Sequence, residues 1–333
     1  MTPPLERLRA AAAADPRSIV LPESADERIL GAAAVAAATG LCRPLLLGER
    51  ELVRERAAAL GIAPPGETID PARDPRCEEA RRELARRLAA RGLAAAERAR
   101  RLADPLHLAA ALVATGAADA AVMGAASTTA ETLHAALAAV GPRPGLELVS
   151  SCFLMTLADG RGVVYSDCAV VPAPDADALA EIAIAAAASC RTLLGEAPRV
   201  ALLSFSTHGS ARHPDVDKVR RAVERLAARR VDFAFDGELQ ADAALVAEVA
   251  SRKAPASAVA GRANVLVFPD LDAGNIAYKL TERLAHARAT GPLLQGLARP
   301  IHDLSRGCSV DDVLDVMAVA AVEARGAAAK EGA

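Results

Sequence analysis

The stretch Ala120-Ala-Val-Met-Gly-Ala-Ala-Ser-Thr-Thr-Ala-Glu131 has the pattern of a strand, a loop and the start of a helix, in that order. Its apolar start, residues 120–123, predicts a buried strand, and the small residues 124–127 predict a tight loop. Thr128 and Glu131 have the spacing of a capping box, which begins a helix. A strand, a small-residue loop and a helix N-terminus form either a phosphate cradle or an ordinary tight turn. Both interpretations predict a strand-to-helix unit here.

The same alternation continues in both directions along the chain. Residues 18–21 and 44–47 are short apolar runs on the N-terminal side, and residues 200–205 and 265–268 are similar runs on the C-terminal side. Helical patterns separate these runs. Since parallel strands need crossover connections, this order predicts an α/β protein with mostly parallel sheets.

The middle of the chain departs from this alternation. Residues 146–157 and 163–167 are separated by a short turn that contains Asp-Gly-Arg-Gly at 159–162. That turn is too short for a crossover helix, so the two runs predict an antiparallel hairpin. A chain of 333 residues has room for two domains that each bury a core.

The composition is typical of a soluble globular protein. Hydrophobic residues make up 52% of the chain and aromatic residues 2%, so small side chains must fill closely packed helices. The net charge of -3, without basic runs among aromatics, gives no reason to expect a nucleic-acid partner. No apolar run of membrane length and no secretory pattern are present, so we expect a cytoplasmic protein without a membrane partner.

The six cysteines are scattered, without any C-x-x-C pair. This pattern favours buried, reduced thiols over a metal site or a disulfide framework. Cys308 is the exception to consider, since the nearby cation of Arg306 can lower a thiol pKa.

A second polar stretch reads Pro300-Ile-His-Asp-Leu-Ser-Arg-Gly-Cys-Ser-Val-Asp-Asp312. It contains an arginine that can bind a phosphate bidentately, Arg306, and a hydroxyl that can donate to an oxyanion, Ser305. Asp312 adds a carboxylate that can accept a proton. An equally simple interpretation is a capping box formed by Ser309 and Asp312 at the start of a helix. These residues alone do not separate catalysis from capping.

Two further polar groups have similarly open interpretations. Asp236, Glu238 and Asp242 predict either a magnesium or manganese site or a capped helix that faces water. Lys279 and Arg283, four residues apart on one helix, can bind an anion or form a solvated face. Phosphate-binding loops of the G-x-x-x-x-G-K-[ST] and G-x-G-x-x-G types are absent from the sequence.

Several long motifs, spread in order over nearly the whole chain, resemble those of phosphate acetyltransferases. On the N-terminal side these are Ile19-Val-Leu-Pro-Glu, Ala118-Asp-Ala-Ala-Val-Met-Gly, Thr128-Thr-Ala-Glu-Thr-Leu and Asp167-Cys-Ala-Val-Val-Pro. On the C-terminal side they are Asp236-Gly-Glu-Leu-Gln-Ala-Asp, Phe268-Pro-Asp-Leu-Asp-Ala-Gly-Asn-Ile-Ala-Tyr-Lys, Gly291-Pro-Leu-Leu-Gln-Gly and Asp303-Leu-Ser-Arg-Gly-Cys-Ser.

The resemblance implies reversible acetyl transfer between acetyl phosphate and coenzyme A, by direct thiol attack in a ternary complex. In family terms Asp312 takes the thiol proton, Arg306 binds phosphate and offsets carbonyl charge, and Ser305 steadies the tetrahedral intermediate. Coenzyme A is a substrate, and no cofactor or metal is implied. By the same resemblance, the residues expected to bind substrates are Arg283, Lys279, Arg87 (or its neighbour Arg86), Ser127, Thr128, Thr129, His134 and Asn275.

Two departures from the family pattern are present, of which His302, where the family often has asparagine, is the milder. His134 and Ala135 stand where the family has an arginine followed by a proline. Histidine is shorter and carries only part of a charge near neutral pH, so it predicts an affinity for phosphate or acyl phosphate that is either weaker or dependent on pH.

The resemblance also implies a fold and an assembly. The expected fold is that of the isocitrate and isopropylmalate dehydrogenase group, with two α/β domains, a cleft between them, and a homodimer. We place the first domain at residues 1–146 plus 292–333, and the second at residues 147–291.

Three alternatives stay open at this point. The nearest is an acyltransferase for butyryl or propionyl phosphate, since the sequence does not show the size of the acyl pocket. A metal-dependent decarboxylating dehydrogenase of the same fold is the second. A non-catalytic module that binds acetyl-coenzyme A is the third.

Overall fold

The computed structural model describes residues 2–63 and 65–331, with the side chains of the last helix described up to residue 326. The chain forms two compact units. The terminal unit comprises Leu5–Pro144 and the residues from Leu297 onward, and the central unit comprises Gly145–Gly296 and the first residues up to Pro4.

The bounds of the elements are as follows, in chain order. The first part contains helices α1 (Pro4–Ala14), α2 (Glu27–Thr39), α3 (Arg50–Ala59), α4 (Pro75–Ala90), α5 (Ala95–Ala103), α6 (Pro105–Ala114) and α7 (Thr129–Ala139), with strands β1 (Ser18–Leu21), β2 (Arg43–Leu47), β3 (Glu67–Ile69) and β4 (Ala120–Met123). The central unit contains strands β5 (Ser150–Thr156), β6 (Gly162–Ser166), β7 (Arg199–Leu203), β8 (Ala234–Leu239), β9 (Val265–Val267) and β10 (Arg288–Gln295), with helices α8 (Ala176–Leu194), α9 (Pro214–Ala228), α10 (Ala241–Leu245), α11 (Ala247–Lys253) and α12 (Leu271–Leu284). The chain then forms β11 (Ile301–Asp303) and α13 (Val310–Glu331).

The sheet of the terminal unit is parallel, with the strand order β11-β4-β1-β2-β3. Strand β11 comes from the C-terminal part of the chain, and its residue Asp303 lies opposite Met123 of β4. The carboxyl ends of parallel strands lie at one edge of a sheet. The loops that follow β1, β4 and β11 therefore emerge side by side, and these loops carry most of the polar residues considered below.

Helix α6 shows why the terminal unit needs so little aromatic side chain. Its residues from Leu106 to Val113 are buried on every face, as expected of a helix that is apolar all round. At its N-terminus Pro105 lies in the first turn, and Asp104 accepts hydrogen bonds from the main-chain nitrogens of Leu106 and His107. Alanines let this helix pack closely against α4 and α7.

The sheet of the central unit has the order β10-β5-β6-β9-β7-β8. Strands β5 and β6 are antiparallel, which confirms the predicted hairpin, and β6, β9, β7 and β8 are parallel. Strand β10 pairs antiparallel with β5 over residues 288–290 and 293–295, with a shift of register between Thr290 and Leu293. This sheet therefore includes residues 292–295, which the sequence analysis assigned to the other domain. The predicted α/β class with mostly parallel sheets is confirmed.

In the described part of the chain, no helix has the length and apolar character that crossing a membrane requires.

Candidate active site

The loop after β4 binds an anion that the protein itself supplies. The carboxylate of Glu23 accepts hydrogen bonds from the main-chain nitrogens of Gly124 and Ala125 through Oε2, at 2.8 and 2.7 Å. Its other oxygen, Oε1, accepts from the nitrogens of Ala126 and Ser127 and from the Ser127 hydroxyl, each at 2.9 Å. The loop is a tight turn with converging N–H groups, as predicted, but its donors are occupied by a carboxylate instead of a phosphate.

Arg28, close to Glu23 in the sequence, connects the loop after β4 to the loop after β11. Arg28 donates through Nη2 to the main-chain oxygen of Ala125 and through Nη1 to that of Arg306, both at 2.7 Å. Nη1 also lies 3.3 Å from the main-chain oxygen of Cys308. Asp26 holds the guanidinium in place with hydrogen bonds at 3.0 and 2.7 Å. One side chain thus joins the two loops.

The loop after β11 exposes the two side chains with predicted chemistry. Ser305 and Arg306 are exposed, whereas the preceding residues from Ile301 to Leu304 are buried. The loop turns tightly, because the nitrogen of Cys308 donates to the main-chain oxygen of Ser305 at 2.9 Å. A rigid turn that follows a buried strand can hold a guanidinium and a hydroxyl in a fixed relation.

Asp312 forms the predicted capping box with Ser309. Its Oδ2 accepts from the nitrogen and the hydroxyl of Ser309, at 2.9 and 2.8 Å, and its own nitrogen donates to that hydroxyl at 3.2 Å. Helix α13 therefore begins with a satisfied N-terminus. Both hydrogen bonds to the carboxylate use Oδ2.

Asp303 is a buried carboxyl group two residues before Ser305. Burial raises the pKa of Asp303 to about 6, although the hydrogen bond from Thr129 opposes the change. The Thr129 hydroxyl donates to Oδ2 at 2.6 Å. Gly124 is required beside it, because its φ is +101° and a Cβ there would overlap Oδ1 of Asp303. Asp303 therefore joins β11 to the start of α7.

The thiol of Cys308 behaves differently from the sequence prediction. Burial raises the pKa of Cys308, and this effect outweighs the lowering by the Arg28 cation. All six cysteines are buried, as predicted. The lowered pKa considered for Cys308 as an exception is wrong, because the sequence shows the neighbouring charge but not the burial. The neighbouring cation is also Arg28, and not Arg306 as proposed.

Three predicted substrate-binding hydroxyls donate to carboxylates of the protein. Ser127 donates to Glu23, Thr129 donates to Asp303, and Thr128 donates to Glu131 in the predicted capping box. Hydrogen bonds from Thr128, with a smaller contribution from Arg306, lower the pKa of Glu131. A direct contact with a substrate would require each hydroxyl to change its partner, so these three assignments stay predictions.

The two other predicted binding residues of the terminal unit are separate from these loops. His134 is exposed on α7. The side chain of Arg87 bonds to Glu83 at 2.6 Å and approaches the main-chain oxygen of Val140 at 3.4 Å. Arg86 and Arg87 together lower the pKa of Glu83 to about 2.

The remaining predicted binding residues lie on α12 in the central unit. Asn275 donates to the main-chain oxygen of Cys168 at 3.0 Å. The ammonium of Lys279 lies 4.9 Å from the ring centre of Tyr278. The side chain of Arg283 is 80% exposed, with Glu282 at 3.5 Å.

The three acids considered for a metal each have a basic partner. Asp236 lies 3.2 Å from His208, Glu238 lies 2.8 Å from Arg220, and Asp242 lies 2.8 Å from Lys253. Asp236 and Glu238 belong to β8, so they do not cap a helix as one interpretation suggested. Among the residues that the structure describes, no group of histidine, cysteine or acidic side chains is arranged to hold a metal.

Sequence reasoning missed Glu23, Arg28 and Asp303 as residues of this region. Glu23 and Asp303 carried a usable signal, because each stands at or just after the end of a short apolar run that forms a parallel strand. Arg28 had no signal that pointed to its partners, since Ala125 and Arg306 are 97 and 278 residues away in the chain.

Comparison with known proteins identifies the class to which this fold and these loops belong. The profile of the phosphate acetyl/butaryl transferase family matches residues 4–321. A phosphate acetyltransferase from Thermoanaerobacterium thermosaccharolyticum is 46% identical over 314 residues, which cover 93% of this chain and 95% of that protein. A phosphotransacetylase crystal structure from Streptococcus pyogenes aligns with a TM-score of 0.90 and 39% identity, over 97% of this chain and 98% of that one.

A more distant structure is similar in fold alone. A 4-hydroxythreonine-4-phosphate dehydrogenase from Klebsiella pneumoniae aligns with a TM-score of 0.50 and 16% identity, over 94% of this chain and 100% of that one.

The present protein, a chain of 333 residues, is an acyltransferase with a dehydrogenase-like α/β fold. More narrowly, the chain belongs to the phosphate acetyl/butaryl transferase family, which confirms the resemblance seen in its motifs.

Proposed function

We propose that this protein is a phosphate acetyltransferase that moves an acetyl group reversibly between acetyl phosphate and coenzyme A. The observation that carries the proposal is the exposed pair Ser305 and Arg306, on a loop fixed by the pairing of β11 with β4 and by Arg28. The 46% identity to a relative named phosphate acetyltransferase supports the acetyl group as the one transferred.

In the proposed reaction, the sulfur of coenzyme A forms a bond to the acetyl carbon while the thiol proton moves to Asp312. A base is needed because a thiol is only slightly ionised near neutral pH. We assign Oδ1 of Asp312 to this step, because the capping hydrogen bonds use Oδ2. The carbon–oxygen bond to phosphate then breaks, and phosphate leaves with the electron pair and takes up the proton.

Arg306 and Ser305 stabilise the charge that develops during this attack. The guanidinium binds the phosphoryl oxygens bidentately, and the hydroxyl donates to the tetrahedral oxyanion. Much of the remaining rate enhancement comes from holding two substrates together. We assign substrate binding to Arg87, Ser127, Thr128, Thr129 and His134 on the terminal unit, and to Asn275, Lys279 and Arg283 on the central unit. No cofactor besides the substrate coenzyme A is required.

A homodimer in the cytoplasm completes the proposal. Helix α12 carries an exposed apolar stripe of Ile276, Leu280 and Leu284, which are 57%, 52% and 76% exposed. A continuous apolar stripe of this kind is typical of a surface that a second copy covers. Sedimentation of the wild type and of Leu280→Lys tests this assembly, and a monomeric wild type overturns it.

The test of activity is thioester formation from acetyl phosphate and coenzyme A, for the wild type and for Arg306→Ala. We expect rapid turnover that the substitution abolishes. A transferase for longer acyl groups is the second candidate, because the matching family includes both kinds. A higher kcat/KM with butyryl or propionyl phosphate than with acetyl phosphate would establish it instead.

A further inference from the structure

Glu23, between β1 and α2, and Arg28, in the first turn of α2, take no part in the proposed chemistry. Both contact the loop after β4, and Arg28 also contacts the loop after β11. We propose that Glu23 is a built-in anion that shapes the loop after β4, and that Glu23 and Arg28 together set the position of Arg306. Both are positioning residues. The role of Arg306 in this inference rests on the proposed function, whereas the anion role of Glu23 does not.

The first step of the argument is the contact between Glu23 and the loop of residues 124–127. Four consecutive N–H groups and one hydroxyl converge on this carboxylate, at 2.7 to 2.9 Å. Consecutive N–H groups that point into one concavity repel each other unless an anion lies there. Because Glu23 is covalently part of the chain, the loop is held in this form before any substrate arrives.

The second step is that Arg28 holds the other side of the same loop. While the nitrogens of the loop point to Glu23, the oxygen of Ala125 points to Arg28. The same guanidinium binds the main-chain oxygen of Arg306. Hydrogen bonds with Asp26 fix the plane of the Arg28 side chain and raise its pKa. A shift of the loop after β4 is therefore transmitted to the backbone that carries Arg306.

The consequence is a specific loss of rate when Glu23 is removed. Misplacing a catalytic group by about 1 Å costs about 100-fold in rate, so we expect Glu23→Ala to lower kcat by about that factor. The KM for coenzyme A should change much less, since Arg306 is assigned to the phosphoryl group of acetyl phosphate and not to coenzyme A. Glu27, an exposed acid at the start of α2, supplies the matched control in Glu27→Ala.

The experiment is rescue of Glu23→Ala by formate, a free carboxylate that lacks the acetyl group of the substrate. We expect formate to restore part of kcat in a saturable way, and to raise the Tm of Glu23→Ala. Formate should do neither for the wild type or for Glu27→Ala. Arg28→Lys keeps the positive charge but loses the planar set of guanidinium donors. It should lower kcat, and formate should not restore it.

The outcomes separate this inference from the proposed function. A wild type without thioester-forming activity overturns the proposed function, and the Tm shift with formate still reports on Glu23. An active wild type with full kcat in Glu23→Ala overturns the positioning role. If Glu23→Ala fails to fold, unchanged kcat in Arg28→Lys overturns that role. If formate does not change the Tm of Glu23→Ala, the proposal that the Glu23 carboxylate is the built-in anion of this loop is overturned.

Discussion

The carboxylate of Asp312 lies 2.8 Å from the hydroxyl of Ser309 and 2.9 Å from its main-chain nitrogen. The two interpretations of this stretch, catalysis and capping, are therefore compatible, because capping uses one carboxylate oxygen. Catalysis and capping predict different effects for the substitutions Asp312→Asn and Ser309→Ala. Asp312→Asn keeps an oxygen for the cap and removes the base, so we expect kcat to fall about 100-fold or more with little loss of stability. Ser309→Ala should cost about 1 kcal/mol of unfolding free energy and keep most of the activity.

Urea unfolding and steady-state kinetics on the two variants measure these effects. If Asp312→Asn loses stability but keeps its kcat, the residue is a helix cap alone, and a different base must be sought. Ser309→Ala serves as the control for any rate effect of a weakened helix N-terminus.

The parts of the fold that could be predicted are those with local signals. The strand-to-helix alternation, the hairpin and both capping boxes depend on residues close together in the sequence, and all are confirmed. The occupant of the loop after β4 could not be predicted, because Glu23 precedes Gly124 by 101 residues. Only the parallel pairing of β1 with β4 brings them together.

The pKa of the Cys308 thiol and the partners of the three acids could not be predicted for a related reason. The sequence shows which charges are neighbours along the chain, but pKa values depend on burial and on partners from other elements. Cys308 is buried, and Asp236, Glu238 and Asp242 are paired with His208, Arg220 and Lys253.

His134 stands where the family resemblance expects an arginine. An arginine is fully charged and can bind a phosphate with two hydrogen bonds, which a histidine cannot. We therefore expect His134→Arg to lower the KM for acetyl phosphate, with a smaller effect on the KM for coenzyme A. Initial rates at varied concentrations of each substrate measure both constants. An unchanged KM in His134→Arg and in the neutral control His134→Gln would remove this position from the binding site.

The acids of β8 and α10 bear on whether a metal takes part. Glu238 is almost fully buried, and its pKa is kept below its usual value because hydrogen bonds from Arg220, Gly209 and Ser206 outweigh burial. A carboxylate with these partners does not need a cation to balance its charge. We expect activity to persist in excess EDTA, and added Mg²⁺ to leave the Tm unchanged. Loss of activity in EDTA that Mg²⁺ restores would support the metal-dependent alternative.

Asp303 gives a prediction for stability as a function of pH. Burial raises its pKa from 3.8 to about 6 in the folded protein, while the unfolded chain keeps the lower value. Between these two pKa values the folded state binds more protons than the unfolded state, so this group destabilises the fold as pH rises. A difference of roughly two pKa units corresponds to about 3 kcal/mol, present in full above about pH 8 and absent below about pH 3.

Asp303→Asn keeps the shape of the side chain and cannot ionise, so it should remove this pH dependence. Relative to the wild type, the unfolding free energy of Asp303→Asn should therefore increase by about 3 kcal/mol between about pH 3 and about pH 8. Urea unfolding at a series of pH values measures the difference, in which contributions common to both proteins cancel. Asp311→Asn, an exposed acid at the start of α13, is the control and should differ from the wild type by less than about 0.5 kcal/mol throughout. A difference for Asp303→Asn that does not change with pH would mean that the carboxyl group titrates alike in the folded and unfolded states.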